Sequence, residues 1–213
     1  MAVEMEASRR TDVLKASPRM FDSDLLDKLS RVHPAVPVVI FLPAIAVLIA
    51  LSVGATSTWG LIGLFAGGYL FWTLCEYWIH RVIFHFEPEE GFGARLHWII
   101  HGVHHDHPND PLRLVMPPSV SLPLSSLFLV GFWAVLGTPL WYAFGAGFIA
   151  GYLIYDMTHY HLHHHKPKTR VGRRLRELHM RHHFQDDTTG FGISAPYWDT
   201  AFRTHSPRAN KAD

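Results

Sequence analysis

At 213 residues the chain has the length of one domain or two, and its 48% hydrophobic content is ordinary. Charged residues are scarce, 17% against a usual ~25%, and 19 basic side chains nearly cancel 18 acidic ones, which excludes the basic face of a nucleic-acid binder. A single cysteine excludes a disulfide-stapled scaffold, whereas 17 histidines, the commonest metal-ligating residue, require a chemical reason.

The first 33 residues are polar and hold no apolar core, so no cleavable signal is expected. Within them Phe21, Leu25, Leu26, Leu29 and Val32 recur at helical spacing among Asp22, Asp24, Asp27, Lys28 and Arg31. This pattern predicts a short amphipathic helix, lying either on the membrane surface or against the protein's own cytoplasmic part. Residues 1–33 are thus read as a cytoplasmic or interfacial segment, 34–205 as the membrane-embedded domain and 206–213 as a loose tail.

Two 42-residue tracts, Pro34 to Cys75 and Leu114 to Tyr155, hold no Asp, Glu, Lys, Arg or His. One crossing of a ~30 Å hydrocarbon core needs ~20 apolar residues, so each tract fits two. Turn-prone residues near the midpoints, Gly54 to Thr58 and Gly137-Thr138-Pro139, predict helical hairpins. The expected fold is an all-α membrane protein of four transmembrane helices in two hairpins beneath a cytoplasmic, histidine-rich di-metal cap. A soluble helical protein seldom runs beyond about 10–14 uncharged residues. Hairpins return the chain to its starting side, and Arg9, Arg10, Lys28, Arg31, Arg81, Arg113, Arg173 and Arg174 place that side, with both termini, in the cytoplasm.

After the first tract come His80, His85, His101, His104 and His105; after the second come His159, His163, His179, His182 and His183. Four of the five matched pairs are 78 residues apart and the fifth, His80 to His159, 79, which marks a degenerate tandem repeat. Positions i, i+3 and i+4 share a helical face, so His101, His104 and His105 aim at one point, as do His179, His182 and His183. His80 and His85, five apart, predict a helix that ends or distorts between them. First-row ions take about four to six ligands, so ten imidazoles suit two metals. His33, His97, His107 and His205 read as bystanders, and in the run His161 to His165 the repeat selects His163.

Imidazole alone leaves the metal open. A structural zinc needs four ligands and a hydrolytic zinc three, whereas two ions at a membrane face suit dioxygen activation against an unactivated C–H bond. Two irons are therefore expected, with zinc able to replace them in a purified protein. Glu76, four before His80, and Asp156, three before His159, are candidates to accept the ligands' remaining N–H bonds, with Asp186 and Asp187 weaker ones. Trp72, Trp78, Tyr152 and Tyr155 are candidates for an acyl tunnel or an interfacial aromatic belt. A metal transporter is the rival class, but such proteins set ionisable groups near the bilayer midplane, and here the midplane segments are uncharged.

The histidine pattern, with Ser17-Pro18-Arg19-Met20-Phe21, Arg113-Leu114-Val115-Met116-Pro117-Pro118 and Gly190-Phe191-Gly192-Ile193-Ser194, resembles the fatty acid hydroxylase and sterol desaturase superfamily, most closely its fatty acid 2-hydroxylase branch. The resemblance covers nearly the whole chain, and all ten histidines match. It implies a non-haem di-metal centre over a four-helix membrane base and oxygen-dependent hydroxylation of a membrane lipid acyl chain beside its carbonyl. Sterol, carotenoid and other lipid hydroxylases or desaturases share the same boxes. Two departures stand out. Eukaryotic members of the branch usually carry an N-terminal cytochrome b5 domain, which the short leader cannot hold, so a separate donor such as cytochrome b5 or a ferredoxin is expected. His161 stands where an aromatic residue is usual.

Overall fold

The computed structural model describes residues 2–206, so nearly all of the expected tail lies outside the described residues. The chain is helical: α1 (Ala2–Lys15), α2 (Asp24–Leu29), α3 (Ala35–Ser52), α4 (Thr58–Trp78), α5 (Gly91–His97), α6 (Val103–Asp106), α7 (Pro118–Leu136), α8 (Leu140–His164), α9 (Arg170–Phe184) and α10 (Tyr197–Ala201). Two π-helical turns extend the ladder, Ile79–Phe84 after α4 and Trp98–Gly102 after α5.

Three stretches are long and apolar enough to cross a membrane: Ala35–Ser52, Thr58–Phe84 and Pro118–Leu136. The fourth expected crossing, α8, is not among them. It is diluted by Gly145, Gly147, Gly151, Tyr142, Tyr152 and Tyr155, and its middle is buried by its neighbours. A helix enclosed by other helices is held by packing, and α8 takes the central place among the three apolar helices.

α3, α4 and α7 all pack on α8. Phe41, Ile45 and Leu48 of α3 and Trp72 of α4 meet Phe148, Ile149 and Tyr152 of α8 in one core. Trp72 packs edge-on against Phe148 and Tyr152, with centroids 5.2 and 5.3 Å apart. Glycines bring the two longest helices into backbone contact. A Cβ on Gly68 would stand 1.9 Å from the Phe144 carbonyl oxygen, and one on Gly147 1.9 Å from that of Phe65. This crossing matters because α4 and α8 each run directly into a histidine pair, so their separation sets the distance between the two halves of the site. Gly147→Val is expected to push the helices apart at a cost of about 3 kcal/mol or more, read as a lowered Tm of the purified protein and lost monodispersity.

The N-terminal amphipathic pattern forms a helix only over Asp24–Leu29, capped by Ser23, with Phe21 and Val32 outside it. The segment is tied to the loop before α7. Asp27 accepts from Arg113 Nη2 (2.7 Å) and from the Met20 amide (2.8 Å), and the Val32 amide donates to the Leu112 carbonyl (2.6 Å). Arg113 also donates to the Pro18 carbonyl. These ties end the helix early by committing the backbone on both sides of it. The segment therefore packs on the protein itself, yet Leu25, Leu26 and Leu29 stay about half exposed.

Candidate metal centre

The π-helical turns explain how the histidines converge. A π turn inserts one extra residue per turn and rotates the side chains beyond it about the helix axis. Ile79–Phe84 thereby brings His85 round to His80, with Nε2 atoms 3.3 Å apart despite a five-residue spacing. Trp98–Gly102 carries His101 into α6, where His104 and His105 lie, and α9 supplies His179, His182 and His183 from one face.

The ten sort into two groups of five that could each hold a metal ion. His80, His85, His101, His105 and His182 form one; His104, His159, His163, His179 and His183 form the other. Within each group the ligand atoms lie within 4.8 Å of one another. Each repeat keeps four histidines in its own group and sends one across: His104 of the first repeat joins the second group, and His182, its counterpart 78 residues on, joins the first. His161, His164 and His165 fall in neither group; His161 and His165 are exposed and stacked on one another.

The donor set fits cations. His80 Nδ1–H donates to the Phe191 carbonyl (2.7 Å) and His182 Nδ1–H to that of Thr189 (2.8 Å), so both Nε2 atoms carry bare lone pairs. His85 Nε2 stands 3.3 Å from the first and 3.0 Å from the second, and brings at most one proton. Elsewhere Nε2 atoms face each other at 2.8 Å (His163 and His179) and 3.0 Å (His104 with His159 and with His183; His101 with His105). At metal–nitrogen lengths of about 2.0–2.1 Å, neighbouring ligands in octahedral or tetrahedral shells stand about 2.9–3.4 Å apart, which is the spacing seen. Burial and then the neighbouring imidazoles press His85 down to about 3 and His105 to about 2, and lower His101, His104, His179 and His183 likewise. These rings are neutral at pH 7, the form that ligates.

Glu76 and Asp156 do not hold ligand rings. The Glu76 carboxylate accepts from the Ser194 amide (2.7 Å) and hydroxyl, while Asp156 accepts from the Met116 amide (3.3 Å) and the Tyr152 hydroxyl (3.4 Å). Helical spacing sets them on the histidine face, but one turn short of the rings, where they anchor neighbouring backbone instead. Asp186 closes a local turn through Thr188, and exposed Asp187 falls within a smaller, more exposed grouping with His85 and Glu87. Glu87, which the sequence pattern does not mark, stands 3.6 Å from His85 Nδ1.

The ring-orienting carbonyls lie in the loop after α9, and Asp199 holds that loop. Buried in α10, it accepts from the Phe191 and Gly192 amides (2.8 Å each) and the Thr204 hydroxyl (2.9 Å). Gly190 adopts φ +78°, and a Cβ on Gly192 would stand 2.4 Å from the Ala195 oxygen, so the tight loop needs both glycines. Asp199→Ala is expected to free the loop and weaken metal retention in the first group by about 10- to 100-fold, measured by chelator competition, with the second group less affected.

A cavity of about 260 Å³ opens on His101, His104 and His159. Val103, Leu114, Val115, Met116 and Val120 make its walls apolar, and Met20, Phe21, Leu26 and Leu29 of the N-terminal segment line it as well. Of the four aromatic tunnel candidates only Tyr155 borders it. Trp72 and Tyr152 are spent on the α4–α8 core, and Trp78 meets Phe202 edge-on.

The fatty acid hydroxylase family model matches residues 65–204, which includes every histidine of both groups. The chain belongs to the fatty acid hydroxylase family. This hydroxylase is 39% identical to a dihydroceramide fatty acyl 2-hydroxylase of Arabidopsis thaliana, covering 88% of this chain and 79% of the relative. It is 36% identical to the fatty acid 2-hydroxylase of Rattus norvegicus, over 89% of this chain and 57% of that protein. The solved hydroxylase domain of full-length scs7p superposes with a TM-score of 0.79 at 33% identity, covering 86% of this chain and 70% of that one. The hydroxylase is thus an oxidoreductase, and the transporter reading is set aside.

Proposed function

We propose that this hydroxylase places a hydroxyl on C2 of a membrane-lipid acyl chain, using two irons held by the ten histidines. The observation that carries the reading is the apolar cavity that ends on histidines of both groups. In it an acyl chain lies against Leu114, Val115, Met116 and Val120, and its carbonyl end reaches His101, His104 and His159. The relatives' activity on C2 of fatty acyl groups supports the same position.

When bound, the metal pair supplies reductive activation of dioxygen against an unactivated C–H bond. The chain's own residues do the rest. The apolar walls exclude water and fix which carbon faces the centre. Asp156, through the Met116 amide, holds one wall in place, and the Asp199-clamped loop keeps His80 and His182 turned inward. Electrons come from a protein carrier. α8, whose 25 residues span about 37 Å, is the fourth crossing, and the histidine end faces the cytoplasm together with the termini.

Lipid mass spectrometry of cells expressing the protein, against cells expressing His104→Ala, tests the proposal. The expected product gains one oxygen at C2, drawn from labelled dioxygen. A mid-chain hydroxyl, a sterol product or label drawn from water would overturn it.

A further inference from the structure

α9 contributes to both groups, His182 to the first and His179 and His183 to the second. Its opposite flank is basic. From Leu162 to Arg176 the chain carries Lys166, Lys168, Arg170, Arg173, Arg174 and Arg176 with no acidic residue, and the first five are exposed. Arg176 donates to the Leu162 carbonyl, and Arg174 is shared with Glu177 at 3.0 Å. Lys166, Lys168, Arg170 and Arg173 form the part of this surface that meets no carboxylate in the ion pairs of the described residues.

The placement runs against the helix's own stability. Thr169 caps α9, so Arg170 and Arg173 stand in and just beyond its first turn, at the positive end of the dipole, and that turn holds no acidic residue. Stability would favour the opposite charge there. Arg173 Nη1 donates to the Lys168 carbonyl (2.7 Å), but Lys166, Lys168 and Arg170 add no side-chain tie of this kind among the described residues, and a local rule broken without a structural gain points to function. A membrane-surface helix would show lipid a continuous apolar stripe beside its cations, but the large hydrophobics that α9 exposes are Val171 and, thirteen residues on, Phe184, while Leu175 and Leu178 are partly buried, leaving an outer flank of Arg170, Arg173, Arg174 and Glu177. One helix thickness therefore separates a cationic surface from both groups.

We propose that this outer face of α9 is the docking surface for the acidic face of a one-electron carrier protein, which delivers electrons to both metals through α9. The inference rests on the hydroxylase reading, whose stoichiometry calls for such a partner. The substrate C–H bond is broken and a C–O bond formed; one oxygen atom enters the product and the other leaves as water, consuming two electrons and two protons. The carrier, a reduced haem or iron–sulfur protein, supplies the electrons in two visits. Charge complementarity speeds such encounters and makes them salt-dependent.

The test uses the protein in discs of neutral phosphatidylcholine with the soluble haem domain of cytochrome b5, kept reduced by NADH and its reductase. The variant carries Lys168→Glu, Arg170→Glu and Arg173→Glu, changes that suit the helix dipole and so preserve folding; a second variant carries Arg170→Lys and Arg173→Lys. Charge reversal is expected to weaken carrier binding and raise the KM for carrier at least about 10-fold, with the wild-type advantage shrinking in high salt. Single-turnover product after dithionite reduction and admission of oxygen stays unchanged, and the lysine variant behaves as wild type. Unaltered carrier binding in the charge-reversed protein overturns the proposal. So does a difference that appears only in discs containing phosphatidylserine, which assigns the face to lipid headgroups, or an equal loss in single turnover, which makes the role structural. Absence of product from the wild type in both assays defeats the hydroxylase reading instead, while the binding measurement still decides the docking face.

Discussion

His104→Ala and His182→Ala are each expected to abolish product formation and to lower metal content from two ions per chain toward one. Each residue supplies the single ligand that a group draws from the other repeat. Losing it opens a shell whose remaining four imidazoles come from one half of the chain, and the affinity loss should reach at least about 100-fold. Elemental analysis of protein purified under matched conditions checks this, with His107→Ala as the control, since that ring bonds the Val13 carbonyl and lies outside both groups. Two metals and full turnover in His104→Ala would contradict the dinuclear assignment.

Filling the cavity should stop the reaction without touching the metals. Met116→Trp and Val120→Trp each project an indole into about 260 Å³ of space bounded by His101, His104 and His159. Turnover is expected to fall at least about 100-fold, since misplacement of a reacting carbon by roughly an ångström costs that much. Metal content and Tm should stay near wild type. Turnover unchanged in both variants would mean that the acyl chain reaches the histidines by another route.

Helical spacing made it legible that His101, His104 and His105 lie together, as do His179, His182 and His183, but each triad does not aim at one point: His104 leaves His101 and His105 for the second group, and His182 leaves His179 and His183 for the first. The distortion between His80 and His85 was legible for the same reason, five residues being too many for one α turn. The grouping was not: a 78-residue offset matches His104 with His182 but says nothing of the two rings changing places. Glu76 and Asp156 show a related limit, since spacing sets a side chain on a face without giving its reach. Asp199 escaped notice because it acts through backbone amides of a loop whose glycines look like ordinary turn formers. Four crossings were expected from the absence of charge; three helices have the length and apolarity for one, and α8, rich in glycine and tyrosine, packs at their centre.

The exchange of His104 and His182 makes the two repeats interdependent. While the chain is being made, the first repeat emerges with its own five imidazoles but only four of the first group's five, so neither group is complete before α9 follows. A polypeptide of one repeat could complete such a shell only by pairing with another copy, each lending its middle histidine to the other. The 78-residue duplication then reads as a dimer written into one chain, with one histidine exchanged in each direction.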